Sequence, residues 1–186
     1  MEGDNPSSGD DQQETTPSAS LDPRWVVGFV DGEGRFSVSI HRNLLAARSH
    51  GWQLHPVFHV YQHVRYRAVL EELINVFGCG RVRLKGPNGN VATYAVDSLR
   101  SLESAVLPFF ERHPLVIKDR DFQIFAGIVR AVLRKEHFDT EGFNRLVRLA
   151  YSMNEYGKQR SRPMDEVIVG SSETARQAPH GVVPER

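Results

Sequence analysis

Residues 26–34 read Val-Val-Gly-Phe-Val-Asp-Gly-Glu-Gly and lead directly into Arg-Phe-Ser-Val-Ser-Ile-His at 35–41. Asp22 and Pro23 come just before the first stretch. A capping acid followed by proline at the first helical position is typical of a helix start. This predicts a short helix that ends at about Asp31. The second stretch alternates apolar and polar residues with a period of two, which predicts a strand.

Along the rest of the chain, the spacing of apolar residues changes again between that of a helix and that of a strand. Further strands are predicted at 52–62, 80–86 and 91–97, and further helices at 65–77, about 98–112, 118–136 and 139–157. Pro56 inside the second strand indicates an edge or a bulge. The turn Pro-Asn-Gly-Asn at 87–90 predicts a hairpin. The fold class is therefore α+β, with an αββαββα core, a four-stranded antiparallel sheet and additional C-terminal helices, because paired strands favour hairpins over crossover units.

The 186 residues suffice for one domain with tails. Residues 1–20 are acidic, lack large apolar side chains and are predicted to be disordered. Residues 21–160 form the predicted domain, and residues 161–186 a flexible tail. The net charge of zero hides an asymmetry, since residues 24–163 hold 21 Lys and Arg against 13 Asp and Glu. A basic domain suits a polyanionic partner, although many basic domains bind no nucleic acid.

Several classes of protein are disfavoured by composition. The single cysteine, Cys79, excludes an internal disulfide framework and a zinc site built from several cysteines. No apolar run approaches the roughly 20 residues of a membrane span. The N-terminus lacks the basic start and the apolar stretch of a secretory signal. We therefore expect an intracellular protein that is neither secreted nor membrane-bound.

The stretch at 26–34 resembles the nine-residue motif that names the LAGLIDADG homing endonucleases. The departures are Val-Val for Leu-Ala, Phe-Val for Leu-Ile, Gly for Ala, and Glu for the last Asp. The order αββαββα also resembles the family core, and the resemblance covers roughly residues 22–157. It implies a saddle-shaped sheet and an intron-associated enzyme of a bacterial cytoplasm or organelle matrix. The implied activity is metal-dependent hydrolysis of double-stranded DNA at a long pseudopalindromic site.

One motif per chain supplies half of the family's active-site pair, so the resemblance implies a homodimer. Gly28 and Gly32 are four residues apart and lie on one helical face, where small residues let two helices approach closely. Asp31 resembles the family's structural acid, which caps the partner's helix. The predicted dimer interface comprises Val26, Val27, Gly28, Val30 and Asp31.

Glu33 holds the eighth motif position, where the family brings two acids together across the dimer. Two adjacent carboxylates repel unless a cation or a proton lies between them. The implied metal ligands are Glu33 and the backbone carbonyl of Gly32, with Mg²⁺ as the ion. Mn²⁺ is an alternative, and Ca²⁺ is expected to bind without supporting cleavage. Taken without the motif, Glu33 is better interpreted as a solvated acid at a helix end.

Two further positions match the family pattern and complete the predicted catalytic set. Gln62 ends the second strand, where the family places a polar residue that orients water. Lys118 matches a lysine near the scissile phosphate, where an ammonium stabilises developing negative charge. The alternative for Lys118 is a solvated residue at a helix start. Arg65 or Arg67 is a candidate for another cation in the pocket, and the alignment leaves this choice open.

Strand alternation places a polar, donor-rich set on one face of the sheet, predicted to contact the DNA major groove. The members are Arg35, Ser37, Ser39, His41, Gln53, His55, His59, Tyr61, Arg81, Arg83, Lys85 and Thr93. Arg81 and Arg83 are the best candidates for guanine contacts. The alternative is an ordinary solvated sheet face. The absence of Glu and the near absence of Asp from this face favour DNA binding.

Three other functions stay open. The first is a non-cleaving relative, an RNA splicing maturase or a DNA-binding regulator that keeps the fold. The second is a hydrolase that uses Asp31 and Glu33 as paired carboxylates on a small substrate. The third is a basic α+β interaction module without catalysis. Cleavage of plasmid DNA with Mg²⁺, the salt dependence of binding and the oligomeric state separate these functions.

Overall fold

Helix α1 (Pro23–Glu33) passes directly into strand β1 (Gly34–Arg42) in a computed structural model that describes residues 21–43, 51–86, 89–153 and 162–168. The Asp22 side chain caps the helix by accepting the N–H of Arg24 at 2.7 Å. The helix is two residues longer than predicted, because the N–H of Gly34 closes a last turn on the carbonyl of Val30. A Cβ added at Gly34 would lie 2.6 Å from Cγ1 of Val30. Glycine therefore permits the close turn from helix to strand.

The remaining elements follow the predicted order. They are β2 (Trp52–His63), a 3₁₀ turn (Val64–Tyr66), α2 (Arg67–Phe77), β3 (Arg81–Lys85), β4 (Val91–Val96), α3 (Leu99–Ser101), a π-helical segment (Leu102–Val106), α4 (Leu107–Arg112), α5 (Asp119–Leu133), a 3₁₀ turn (Glu136–Phe138), α6 (Thr140–Ser152) and a last 3₁₀ turn (Met164–Glu166). Gly78 ends α2 in the left-handed conformation, φ 64°, as a glycine cap does. The predicted helix at 139–157 ends at Ser152, and residues 154–160 lie outside the described part.

The four strands form one antiparallel sheet in the order β1-β2-β4-β3. Strand β2 is central, yet it pairs with β4 only from Phe58 onward. Pro56 precedes that point and lies opposite Val38 of β1. The proline is thus confined to a stretch of β2 with one recorded neighbour, which agrees with the predicted edge position.

The helices cover one face of the sheet and enclose the core. Phe36 of β1 lies at its centre, with its ring centroid 5.1 Å from that of Phe58, 5.4 Å from Phe122 and 5.3 Å from Phe125. All four side chains are at most 1% exposed. The helix-covered face therefore fixes the sheet register, because a slip of one residue would turn these rings outward.

Part of the predicted C-terminal tail belongs to the core. Val167 is 1% exposed, and Met164 and Ile168 pack against the same cluster. The hydroxyl of Tyr151 in α6 donates to the carbonyl of Arg162 at 2.9 Å. The prediction of a flexible tail is wrong for residues 162–168, because the apolar side chains of this short stretch find a place to be buried. Residues 1–20 and 169–186 lie outside the described residues. Within the described ranges, no helix has the length and apolar character of a membrane span.

Candidate active site and nucleic-acid interface

The C-terminal end of α1 brings a carboxylate and an ammonium group together. Glu33 is exposed on the last turn of the helix. Nζ of Lys118 donates to the carbonyls of Val30 at 3.2 Å and Gly32 at 3.3 Å, and also to that of Asp31. The carbonyls at the C-terminal end of a helix carry partial negative charge, so a cation is favoured there. The structure therefore brings two of the three predicted catalytic residues together.

Asp31 holds the segment that carries Lys118. Its carboxylate accepts the backbone N–H groups of Val116 at 2.8 Å, Ile117 at 3.1 Å and Lys118 at 3.0 Å. The side chain is buried, 8% exposed. Both carboxylate oxygens therefore have partners within their own chain, just before α5, and the cap on the partner's helix that the resemblance implies stays a prediction.

Burial lowers the pKa of Lys118 below its ordinary value. The negative charges of Asp31, Glu33 and Asp121 oppose this effect and raise it. The ammonium group is therefore close enough to Glu33 to feel its charge. It also lies in a partly desolvated place, where electrostatic interactions are stronger than in water.

A divalent cation fits the oxygen atoms of this helix end. Glu33 offers an exposed carboxylate, and Gly32 offers a carbonyl on the exposed side of the turn. Mg²⁺ takes oxygen ligands and retains several waters, so one carboxylate and one carbonyl per chain suit it. Among the described residues, no three His, Cys, Asp or Glu side chains converge on a metal position. A single chain therefore supplies part of a coordination shell.

Gln62 lies at the far end of β2 on the helix-covered face. It is two residues beyond Val60, which pairs with Gly34, and it lies opposite Ala92. Its Oε1 accepts the backbone N–H of His63 at 2.8 Å. This face differs from the polar face that Tyr61 occupies, because successive strand residues alternate.

The two arginines after β2 have different surroundings. Nε of Arg67 pairs with Glu71 at 2.8 Å along α2. The guanidinium of Arg65 lies 5.5 Å from the centre of the Tyr66 ring. Arg65 is therefore the better candidate for an additional cation, because the charge of Arg67 is already paired.

The exposed side of α1 differs in part from the predicted dimer interface. Val26 and Val30 are 0% exposed and lie in the chain's own core. This corrects their assignment to the interface. The residues left on the outer side of α1 are Trp25, Gly28, Phe29 and Gly32, whereas Val27 is half-buried and packs against the core. Trp25 is 44% exposed and stacks on Phe29 with ring centroids 4.8 Å apart.

The strand register places all twelve predicted DNA-contacting residues on one face. Arg35 lies opposite His59, Ser39 opposite His55, and Arg83 opposite Thr93. Thr93 is only 8% exposed, and its Oγ1 has no hydrogen-bond partner in the described part of the chain. The shared face follows from the strict period of two across four strands.

An acid that the sequence interpretation overlooked lies on the same face. Nη1 of Arg81 donates to Oδ1 of Asp97 at 2.7 Å, and Nη2 donates to Oδ2. The sequence could have indicated this position, because Asp97 continues the alternation in which Thr93 and Ala95 face the same side of the sheet. The prediction that this face is nearly free of acids is therefore wrong where β3 and β4 meet. From the sequence, Arg81 is expected to be free to contact guanine, whereas its guanidinium is already paired with Asp97.

A stack of side chains extends across the middle of the face. Nζ of Lys85 lies 5.1 Å from the centre of the Tyr61 ring, and Tyr61 stacks on His59 with centroids 5.5 Å apart. The pKa of His59 is lowered to about 4, mainly by burial and in addition by the positive charges of Lys85 and Arg35. His59 is therefore neutral at pH 7.

The fold and the site together define an α+β protein in which a motif-bearing helix ends beside a polar sheet face. A family model described as LAGLIDADG endonuclease matches residues 26–129, more than half of the chain. The chain belongs to the LAGLIDADG endonuclease family. The resemblance noted in the sequence is confirmed, and so is the fold class.

Relatives and solved structures agree with this membership. Homing endonuclease I-ApeII of Aeropyrum pernix is 32% identical over 149 residues, which cover 77% of this chain and 86% of that protein. DNA endonuclease I-CeuI of Chlamydomonas moewusii is 32% identical over 103 residues, 55% of this chain and 45% of that one. The crystal structure of the homing endonuclease I-TnaI matches with a TM-score of 0.69 and 34% identity, over 85% of this chain and 98% of that one. The archaeal intron-encoded homing endonuclease I-Vdi141I, complexed with DNA, matches with a TM-score of 0.73 and 28% identity, over 83% and 96%.

Proposed function

We propose that this protein is a homing endonuclease that cuts double-stranded DNA at a specific, pseudopalindromic site as a homodimer with divalent metal ions. The observation that carries the proposal is the meeting of Glu33, the Gly32 carbonyl and the Lys118 ammonium at the end of α1. Family membership supports it, as do the DNA complexes among its structural neighbours.

The proposed reaction is hydrolysis of a phosphodiester, in which water attacks phosphorus and the bond to the 3′ oxygen breaks. A Mg²⁺ ion held by Glu33 and Gly32 would supply a Lewis acid for this attack and for the departing oxygen. Glu33 supplies the negative charge that attracts the ion. Lys118 places a positive charge against the developing negative charge on phosphate, and its three carbonyl contacts hold it there.

The polar sheet face is the proposed DNA-binding surface. Its donors lie at two-residue spacing on a twisted antiparallel sheet, a shape that fits the major groove, where all four base pairs can be told apart. Strand β1 follows α1 directly, whereas β3 lies at the opposite edge. Arg83 and Lys85 on β3 are therefore proposed to contact positions farther from the cut than Arg35 does.

The outer side of α1 supports the homodimer. Among the described residues, a Cβ added at Gly28 or Gly32 would meet no atom within 4 Å apart from the nearby backbone of its own helix. The chain's own packing therefore does not require glycine at either position, and glycine costs helix stability. The close approach of a second α1 helix would explain why both positions are glycine, since a side chain there would keep the two helices apart. Trp25 and Phe29 would then be covered in the same contact.

The proposal is tested with a library of random duplexes incubated with the full chain and Mg²⁺, followed by sequencing of the cut ends. We expect one palindrome-like site. Glu33→Gln should abolish the cut and preserve binding to that site, since charge attraction to the metal is lost while the sheet is unchanged. Glu103→Gln, an exposed acid on the helical side, serves as the control. Binding without any cut by the wild-type protein would favour the non-cleaving maturase or regulator.

A further inference from the structure

The Arg81–Asp97 pair is a preformed unit within the proposed DNA-binding face. Both terminal nitrogens of Arg81 donate to the two oxygens of Asp97. The side chains are 41% and 27% exposed, so the pair is accessible from the face. Bidentate arginine–carboxylate pairs fix the plane of the guanidinium group. Arg81 thus has a defined orientation before any ligand arrives.

The pair is electrically balanced. The guanidinium of Arg81 holds the pKa of Asp97 below its usual range, with His55 adding a smaller effect in the same direction. Asp97 is therefore ionised at neutral pH, and the pair has little net charge. Attraction to phosphate depends on net positive charge. Arg83 and Lys85 on the same strand serve that purpose better than Arg81 does.

The surroundings of the pair have hydrogen-bonding capacity to spare. In the strand register His59 of β2 and Arg81 of β3 both lie opposite Ala95 of β4, one on each side. The small side chain of Ala95 separates the two larger side chains without filling the space above β4. Nδ1 of His59, Nε of Arg81 and Oγ1 of Thr93 are buried and lack partners within the described part of the chain. Buried polar atoms without partners are costly, so a water molecule that reaches them gains free energy. The donors that remain for a larger ligand are at the exposed end of the Arg81 guanidinium.

We propose that Arg81 and Asp97 act together as a base-reading unit, in which Asp97 positions Arg81 and keeps it from binding phosphate. The inference rests on the proposed DNA-binding function. Arginine has five N–H donors, and the pairing with Asp97 uses one on each terminal nitrogen, so the remaining terminal N–H groups point to opposite sides of the guanidinium. One of them can donate to a single acceptor on the major-groove edge of a base, such as O6 or N7 of guanine. Asp97 is thus a positioning residue that determines specificity through Arg81.

The test compares binding in a cleavage-deficient background. The full chain with Glu33→Gln is used to select sites from a random duplex library. The same selection is repeated with Asp97→Asn or Arg81→Gln added. Affinity for the selected duplex and for a scrambled duplex is then measured at several salt concentrations. Glu103→Gln removes the same charge away from the face and is the matched control.

We expect Asp97→Asn to bind scrambled DNA more tightly and to lower the ratio of specific to scrambled affinity about tenfold. Its salt dependence should steepen by about one phosphate contact, because the released arginine becomes available to the backbone. Both variants should lose base preference at one position of each half-site and keep it elsewhere. Arg81→Gln carries the test if Asp97→Asn does not fold.

Two failures are distinguishable. If the Glu33→Gln chain selects a site and the added variants keep its full base preference, the pair is a structural ion pair only and the inference is wrong. If the Glu33→Gln chain selects no sequence at all, the proposed function fails with it.

Discussion

Asp31 and Lys118 hold each other by both backbone and side chain. The carboxylate of Asp31 accepts the backbone N–H of Lys118 at 3.0 Å, while Nζ of Lys118 donates to the backbone carbonyl of Asp31. The contact joins the end of α1 to the start of α5, far apart in sequence. It sets the position of the ammonium group relative to Glu33, which neither helix could do by itself.

Asp31→Asn should lower the free energy of unfolding by about 1–3 kcal/mol. The amide offers one acceptor oxygen instead of two and turns an NH₂ group toward backbone N–H donors. Urea denaturation measures the change. Asp22→Asn is the control, because asparagine caps a helix about as well as aspartate and that site is exposed. Equal losses in the two variants would contradict the role assigned to Asp31.

Lys118→Met should slow cleavage by roughly 10²–10³-fold, the usual effect of removing one group that stabilises transition-state charge. Binding to the selected site should change far less, because the sheet face is untouched. Single-turnover cleavage and a gel-shift titration separate the two effects. Lys135→Met, at an exposed lysine beyond α5, should cut normally. Normal cleavage by Lys118→Met would remove this lysine from the proposed mechanism.

Gly28→Leu should leave the folded monomer as stable as the wild type or up to about 1 kcal/mol more stable, since leucine favours helix over glycine. The same substitution should prevent pairing and abolish cleavage, because the new side chain would occupy the space proposed for the partner helix. Thermal melting and sedimentation report the two outcomes.

Gly127→Leu provides the matched control for Gly28→Leu. Gly127 also lies on a helix with open space around its Cβ, but on α5 rather than α1. It should gain similar helix stability and keep normal assembly and activity. A Gly28→Leu protein that still pairs and cuts would place the dimer contact elsewhere.

His59 should titrate with a pKa of about 4 in NMR spectra of the free protein, because burial and nearby cations disfavour its charged form. Between pH 6.5 and 4 the unfolded chain binds more protons at this residue than the folded one, so stability should fall as the pH drops through that range. Above pH 6.5 it contributes no pH dependence. His59→Gln should flatten the decline, and an unchanged slope would show that other groups cause it.

The sequence predicted the elements and the division of each strand into two faces, because both depend on local periodicity. Phe36 and Arg35 are adjacent, yet their opposite environments follow from alternation alone. The proximity of Glu33 and Lys118 could be expected only through the family resemblance, since no local pattern relates residues so distant along the chain.

Contacts that depend on tertiary structure were not predictable. The spacing of apolar residues in α1 could not show which side of the helix the sheet would cover. Val26 and Val30 were therefore assigned to the outer, dimer-facing side of α1, whereas they lie on the side that faces the core. The pairing of Arg81 with Asp97 needs β3 and β4 in register. The burial of Val167 depends on how residues 162–168 pack beside α6, and the periodicity of a short stretch gives no information about such a contact.

The last 3₁₀ turn, Met164–Glu166, has a practical bearing on any linker that ties two copies of this protein into one polypeptide. Such a linker must begin after Ile168 rather than at the end of α6, since cutting the chain at Ser152 would remove Val167 and open a hole in the hydrophobic interior. The guanidinium of Arg162 also lies over the Trp52 ring at the start of β2, 6.0 Å from its centre. A fusion joined too early would therefore loosen the hairpin that is proposed to touch DNA.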